Sequence, residues 1–345
     1  MNAPAPPRAR KLLSISLALV ALVAAPAAAL GLVGWRTSTH AVEPSPLGVP
    51  RPARELEASL SAPGPITVET VVGADWQVDR SGLINLDHPR ARAAGLRDGG
   101  EPIQIYLHAL RHPTRGLFLI DTGVERALSR APERAAIRGL VASALHAETM
   151  RVGTDTATWL EAQPAPPAGV LLTHLHLDHV SGMPDVPAAT PVYAGPGEAA
   201  SREALNLFVQ PVTDRTLAGH GPLREWGFVP EPGGAFAGVL DLFGDGTLWA
   251  IWVPGHTPGS TAYLARTPAG PVLFTGDACH TAWGWEHAVE PGTFSHDRPG
   301  SAESLARLRA LVERHPEIDV RPGHQRLAAA REGGREAGAV AGPSR

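Results

Sequence analysis

The seven residues Thr173-His174-Leu175-His176-Leu177-Asp178-His179 constrain this chain more than any other stretch. They bring three imidazoles and a carboxylate together directly after the apolar run Val170-Leu171-Leu172, so a buried strand is expected to end in a cluster of lone pairs. If the strand continues, His174 and His176 share one face by the period of two, while Asp178 and His179, past its end, turn toward a second ion. One short segment then serves two metals. An exposed His-rich loop would bind metal only loosely, so the reading depends on distant partners.

Three such partners occur in the second half of the chain. Pro254-Gly255-His256-Thr257-Pro258-Gly259 follows an apolar run over 248–253, Thr275-Gly276-Asp277 follows one over 271–274, and Pro322-Gly323-His324 follows one over 318–320. Taken singly, each of His256, Asp277 and His324 reads as an ordinary hydrogen-bonded loop residue. Together they repeat one grammar, an apolar strand, a tight turn and a ligand, which chance does not readily supply.

The remaining pattern is that of an α/β chain. Strands are expected over 66–72, 103–107, 116–120 and 239–243, the last joined to 248–253 by a Gly244-Asp245-Gly246 hairpin turn. Asp121 stands at the end of the third strand and suits either a simple turn or the orientation of a ligand histidine. Helices are expected from Pro132, with Ile137, Leu140, Val141 and Ala144 on one stripe, over 154–161 and over 195–208. A further helix is expected with Ser301 as its cap, carrying Leu305, Leu308 and Val312.

Composition narrows the function classes. A chain of 345 residues with 43% hydrophobic content can bury a large core. A net charge of -4 and the lack of a Lys/Arg block exclude the basic footprint of a nucleic-acid groove and favour small-molecule substrates. Cys279 is the single cysteine, which rules out an intramolecular disulfide and a Cys-rich zinc knuckle.

Residues 1–36 read as a signal-anchor or signal peptide. Arg8, Arg10 and Lys11 precede an uncharged run of 24 residues from 12 to 35, closed by Arg36, and apolar residues continue past the small stretch Ala27-Ala28-Ala29. An uncleaved anchor is favoured over a cleaved signal, with the folded part facing the periplasm or cell exterior. Residues 37–65, with Pro44, Pro46, Pro50, Pro52 and Pro63, read as a linker, residues 66–325 as the folded domain, and 326–345 as a disordered tail. Oligomeric state is not legible.

These residues resemble the metallo-β-lactamase-fold hydrolase superfamily, and within it the branch of N-acyl homoserine lactonases. The resemblance covers roughly 66–325 and rests on a discontinuous motif. His-x-His-x-Asp-His is followed after 77 residues by His256 in Gly-His-Thr-Pro-Gly-Ser, after 21 more by Asp277, and after a further 47 by His324. It implies a four-layer αβ/βα sandwich with two metals at one edge between the sheets. It also implies that His174, His176 and His256 hold the first ion, that Asp178, His179 and His324 hold the second, and that Asp277 bridges them. Such a donor set suits Zn²⁺, with Fe²⁺, Mn²⁺ or Co²⁺ served by the same groups.

Two dications flanking one water lower its pKa to roughly 7 or below, which provides hydroxide for attack on a carbonyl while Asp178 orients it and shuttles a proton. The reaction expected first is hydrolysis of a carboxylic ester or lactone, with Trp283, Trp285 and Phe294 as candidates for an acyl pocket. Phosphoester hydrolysis, glyoxalase-type thioester hydrolysis and a metal-dependent binding module without turnover are the competing readings. One departure from the family pattern stands out. The lactonases carry a tyrosine three residues past the bridging aspartate, where it donates to the substrate carbonyl. Here His280 occupies that position, as a candidate hydrogen-bond donor.

Overall fold

The computed structural model describes residues 40–201 and 204–327. The signal-anchor segment 1–36 lies outside the described residues, as does all of the expected tail except Arg326 and Leu327. Among the described residues no helix is long and apolar enough to cross a membrane.

Two mixed sheets form the body, their strands numbered in chain order. The eight-stranded sheet runs β1 (Val42–Pro44), β9 (Leu223–Glu225), β8 (Val192–Ala194), β7 (Gly169–Leu171), β5 (Gly116–Ile120), β4 (Gly100–His112), β3 (Thr67–Asp79) and β6 (Arg151–Val152). The six-stranded sheet runs β14 (Asp319–Pro322), β13 (Gly270–Gly276), β12 (Thr261–Thr267), β11 (Leu248–Trp252), β10 (Val239–Asp241) and β2 (Val49–Pro50).

The strands that carry the core are buried on both faces, which is why they read as continuous apolar runs. In β11, Trp249 and Ile251 face the helices Ala53–Ser59 and Arg298–Arg314, while Leu248 and Ala250 face the other sheet. In β5, Phe118 and Ile120 meet that second sheet, while Leu117 and Leu119 pack outward near Trp159 of the helix Thr156–Glu161. The period of two thus sorts each strand between a sheet-to-sheet core and an outer core under helices.

Several expectations change. The segment 37–65 is not a linker, because it supplies β1 to the edge of one sheet, β2 to the edge of the other, and the helix Ala53–Ser59 to a core. Edge positions tolerate Pro44 and Pro50, since the missing amide hydrogen interrupts no ladder on the open side. The helix expected from Pro132 begins only at Gly139; of its expected stripe Ile137 is buried and Val141 packs partly buried beside it, whereas Leu140 is 82% exposed. Ser301 is no cap. The helix starts at Arg298 after Asp297, with Pro299 in its first turn presetting φ.

The topology creates one functional edge. β11 and β13 are each antiparallel to β12 and therefore run the same way, and β14 is parallel to β13, so all three end on the same side. Each of these ends carries one of the candidate ligands His256, Asp277 and His324.

Candidate metal centre

The histidine-rich segment does not continue as a strand. β7 stops at Leu171, because the Thr173 amide donates to Asp121 Oδ1 at 2.8 Å instead of to a neighbouring strand. His174 and His176 therefore sit in a loop, and Asp178 and His179 in the short helix Leu177–Val180. The other sheet holds this loop in place: Thr261 N donates to Thr173 O at 2.9 Å, and Tyr263 Oη donates to Leu172 O at 2.9 Å.

All seven sequence-predicted ligands come together in two sets that share Asp277. His174, His176, His256 and Asp277 form one set, and Asp178, His179, His324 and Asp277 the other. In the first, His256 Nε2 lies 3.1 Å from His174 Nε2 and 2.8 Å from His176 Nδ1. Asp277 Oδ2 lies 3.4 Å from His256 Nε2 and 3.6 Å from His174 Nε2. In the second, the same Oδ2 is 3.2 Å from His179 Nε2 and 3.3 Å from His324 Nε2, and Asp178 Oδ2 is 3.2 Å from His324 Nε2. Ligands about 2.0 Å from a tetrahedral ion sit roughly 3.3 Å apart. These edges bracket that spacing.

The electrostatics fit the same group. Burial, reinforced by neighbouring imidazoles, holds His174 and His256 well below the ordinary histidine range, so both present neutral lone pairs. Burial works against ionisation of Asp178 and Asp277, yet surrounding histidines outweigh it and hold both carboxyls well below the usual carboxylate range. His324 is pushed the other way: burial opposes its charge, but Asp277 and Asp178 raise it to about 10. The cluster favours positive charge between its carboxylates. Asp277 Oδ1, buried, has no hydrogen-bond partner among the described residues. The neutral imidazoles of His174 and His256, the ionised carboxylates and an orphaned carboxylate oxygen make a donor set suited to divalent ions.

Groups behind the ligands fix their orientation. Asp121 takes the ligand-orienting role, with Oδ2 2.8 Å from His179 Nδ1 while it also accepts from Thr173 Oγ1 at 2.9 Å. Close glycines let the turns approach: a Cβ on Gly323 would lie 2.1 Å from Asp277 Oδ1, and one on Gly276, at φ 50°, 2.7 Å from Thr173 Cβ. Glu198 escaped sequence reasoning because a lone Glu carries no motif. Its buried carboxylate accepts from Leu175 N, Thr257 Oγ1 and Gly259 N.

A cavity of about 380 Å³ borders both ligand sets. Its walls include the polar residues His176, Asp178, His256, Asp277, His280 and His324 together with Trp76, Ile103, Ile105, Leu145, Met150 and Phe294. Of the expected acyl-pocket residues only Phe294 lines it. Trp285 lies in the core under the helix Arg298–Arg314, and Trp283 stacks on His287 at 4.2 Å. Trp76 lines the cavity and has a buried Nε1–H without a partner among the described residues. Cys279 faces the core, donates Sγ–H to Thr281 O at 3.3 Å, is pushed by burial up to about 12, and belongs to neither ligand set.

Relatives share this architecture. The chain is 32% identical over 179 residues to the N-acyl homoserine lactonase AttM of Agrobacterium fabrum, covering 49% of this chain and 62% of that one. It is 33% identical over 164 residues to AttM of Azorhizobium caulinodans, covering 45% and 57%. The matched region thus spans about three-fifths of these curated relatives. A solved N-acyl homoserine lactone hydrolase, with the product N-hexanoyl-L-homoserine at its catalytic metal center, shares the fold at a TM-score of 0.53 and 19% identity, over 76% of this chain and 94% of that one. The metallo-beta-lactamase superfamily model matches residues 100–324, more than half of the sequence. This chain belongs to the metallo-beta-lactamase superfamily.

Proposed function

We propose that this protein is a dinuclear metal-dependent hydrolase of carboxylic esters or lactones, with acyl homoserine lactone-like molecules as its substrate class. The apolar cavity that shares its wall with both ligand sets carries the reading. The lactonase relatives and the product-bearing structure support the choice of substrate class.

His174, His176 and His256 would hold one ion, Asp178, His179 and His324 the other, and Asp277 both. Zinc is the first choice for the pair, which would supply a Lewis acid for the carbonyl oxygen and a water acidified to roughly neutral pKa. The side chains do the rest. Ile103, Ile105, Met150 and Phe294 take up the acyl chain and exclude bulk water, and the Trp76 Nε1–H, without a partner among the described residues, offers a donor to an amide carbonyl. Asp178, ionised and on the cavity wall, accepts the proton of the attacking water and returns it to the leaving alkoxide. The ester C–O bond breaks as the new C–O bond forms, so a lactone gives a single hydroxy acid.

The test is kcat/KM of the zinc-loaded protein on acyl homoserine lactones from butanoyl to decanoyl. Each methylene that enters the cavity is worth about 0.8 kcal/mol, roughly fourfold in kcat/KM. A flat series, or none turned over, would contradict the reading.

A further inference from the structure

His280 stands outside both ligand sets, yet it is hydrogen-bonded as a ligand would be. Its Nδ1 lies 3.0 Å from the carbonyl oxygen of Leu83, and a carbonyl only accepts, so this nitrogen carries the hydrogen. With Nδ1 engaged there, Nε2 is the nitrogen left to face the centre. It points at the shared carboxylate, 3.1 Å from Asp277 Oδ2, the same spacing that separates that oxygen from the ligand nitrogens of His179 at 3.2 Å and His324 at 3.3 Å.

The outward side repeats the pattern. His324 Nδ1 bonds Gln104 O at 3.0 Å, and His179 Nδ1 bonds Asp121 Oδ2 at 2.8 Å, an arrangement that fixes a ligand histidine's tautomer and leaves its Nε2 for metal. The His280 ring also lies between the two sets, 4.9 Å from the His256 ring and stacked at 5.6 Å on that of His324. It is 2% exposed and forms part of the cavity wall.

We infer that His280 is a further imidazole ligand of the centre, binding through Nε2. This rests on the dinuclear reading above and assigns Nε2 to metal in place of the expected role of hydrogen-bond donor to the substrate carbonyl, with Nδ1 held by the Leu83 carbonyl. The position where the related lactonases carry a substrate-facing tyrosine would then hold metal in this chain.

Full-length protein loaded with Co²⁺ tests it without reference to turnover. In ¹⁵N-histidine-labelled wild type, six of the chain's 15 histidines should show contact-shifted resonances, the five of the two ligand sets and His280. His280→Phe should lose one of them, and chelator competition should show one ion held at least tenfold more weakly. His280→Tyr, which restores an oxygen, should regain part of that affinity. Five shifted histidines in a wild type holding two cobalt ions would overturn the inference even if neither variant folds. So would His280→Phe with two ions, unchanged affinity and an unchanged spectrum. Fewer than two ions bound by wild type would instead remove the dinuclear reading, and the inference with it.

Discussion

The carboxylate of Glu198 accepts a hydrogen bond at 3.0 Å from the amide of Leu175, the residue between His174 and His176. Its other oxygen accepts from Thr257 Oγ1 at 2.5 Å and Gly259 N at 2.8 Å, beside His256. One side chain, only 5% exposed, thereby ties together the two loops that supply the three histidines of the first ligand set, one from each sheet. Burial pushes its carboxyl upward against these bonds. Glu198→Ala should weaken the first ion about 10- to 100-fold, the usual effect of losing such an orienting partner, and Glu198→Gln less, because it keeps an acceptor oxygen. Chelator competition measures this; equal affinity in all three proteins would show that the loops hold themselves.

Asp277 contributes to both sets through one oxygen, so Asp277→Ala should lower metal content and activity together. His324→Ala should spare the ion of the His174 set more than the other. Elemental analysis of purified protein decides, and two ions per chain with wild-type turnover in Asp277→Ala would refute the shared role.

Glu125 supplies a pH-dependent term in stability. Burial, opposed by its 2.6 Å bond from Ala136 N and aided by Asp185, raises its carboxyl from 4.5 to about 7. Below pH 4.5 both folded and unfolded chains hold the proton. Between 4.5 and 7 only the unfolded chain releases it, so stability is lost as pH rises through that window and levels off above it. Glu125→Gln keeps an acceptor for Ala136 N. Its Tm advantage over wild type should therefore grow across that window and then stay constant; parallel Tm profiles would show that Glu125 ionises freely.

Much of the site was legible because its grammar is local. Each ligand sits within a few residues of an apolar strand end, and the sheet topology only had to bring those ends to one edge. What was missed depended on contacts across the fold. β1 and β2 are three and two residues long at sheet edges, too short to show periodicity beside so many prolines. The cavity wall draws Trp76, Ile103, Met150 and Phe294 from separate elements, so proximity in sequence to Asp277 wrongly favoured Trp283 and Trp285. The tautomer of His280 is set by Leu83, 197 residues away.

For residues 1–36 the proposal is an uncleaved membrane anchor, from the basic flank and the uncharged run after it. Full-length protein should fractionate with membranes, with its folded part open to protease from outside the inner membrane. A soluble cytoplasmic pool starting at Met1 would contradict this, whereas a soluble exported form starting near Leu30 would select signal cleavage.

The central claim is the class of bond broken, and a head-to-head comparison of kcat/KM under full zinc loading tests it most directly. The set is decanoyl homoserine lactone, an aryl ester, a phosphotriester and a glutathione thioester. The lactone and the ester should be turned over well ahead of the other two, with the lactone leading. Efficient turnover of the phosphotriester or the thioester, with lactone and ester inert, would contradict it.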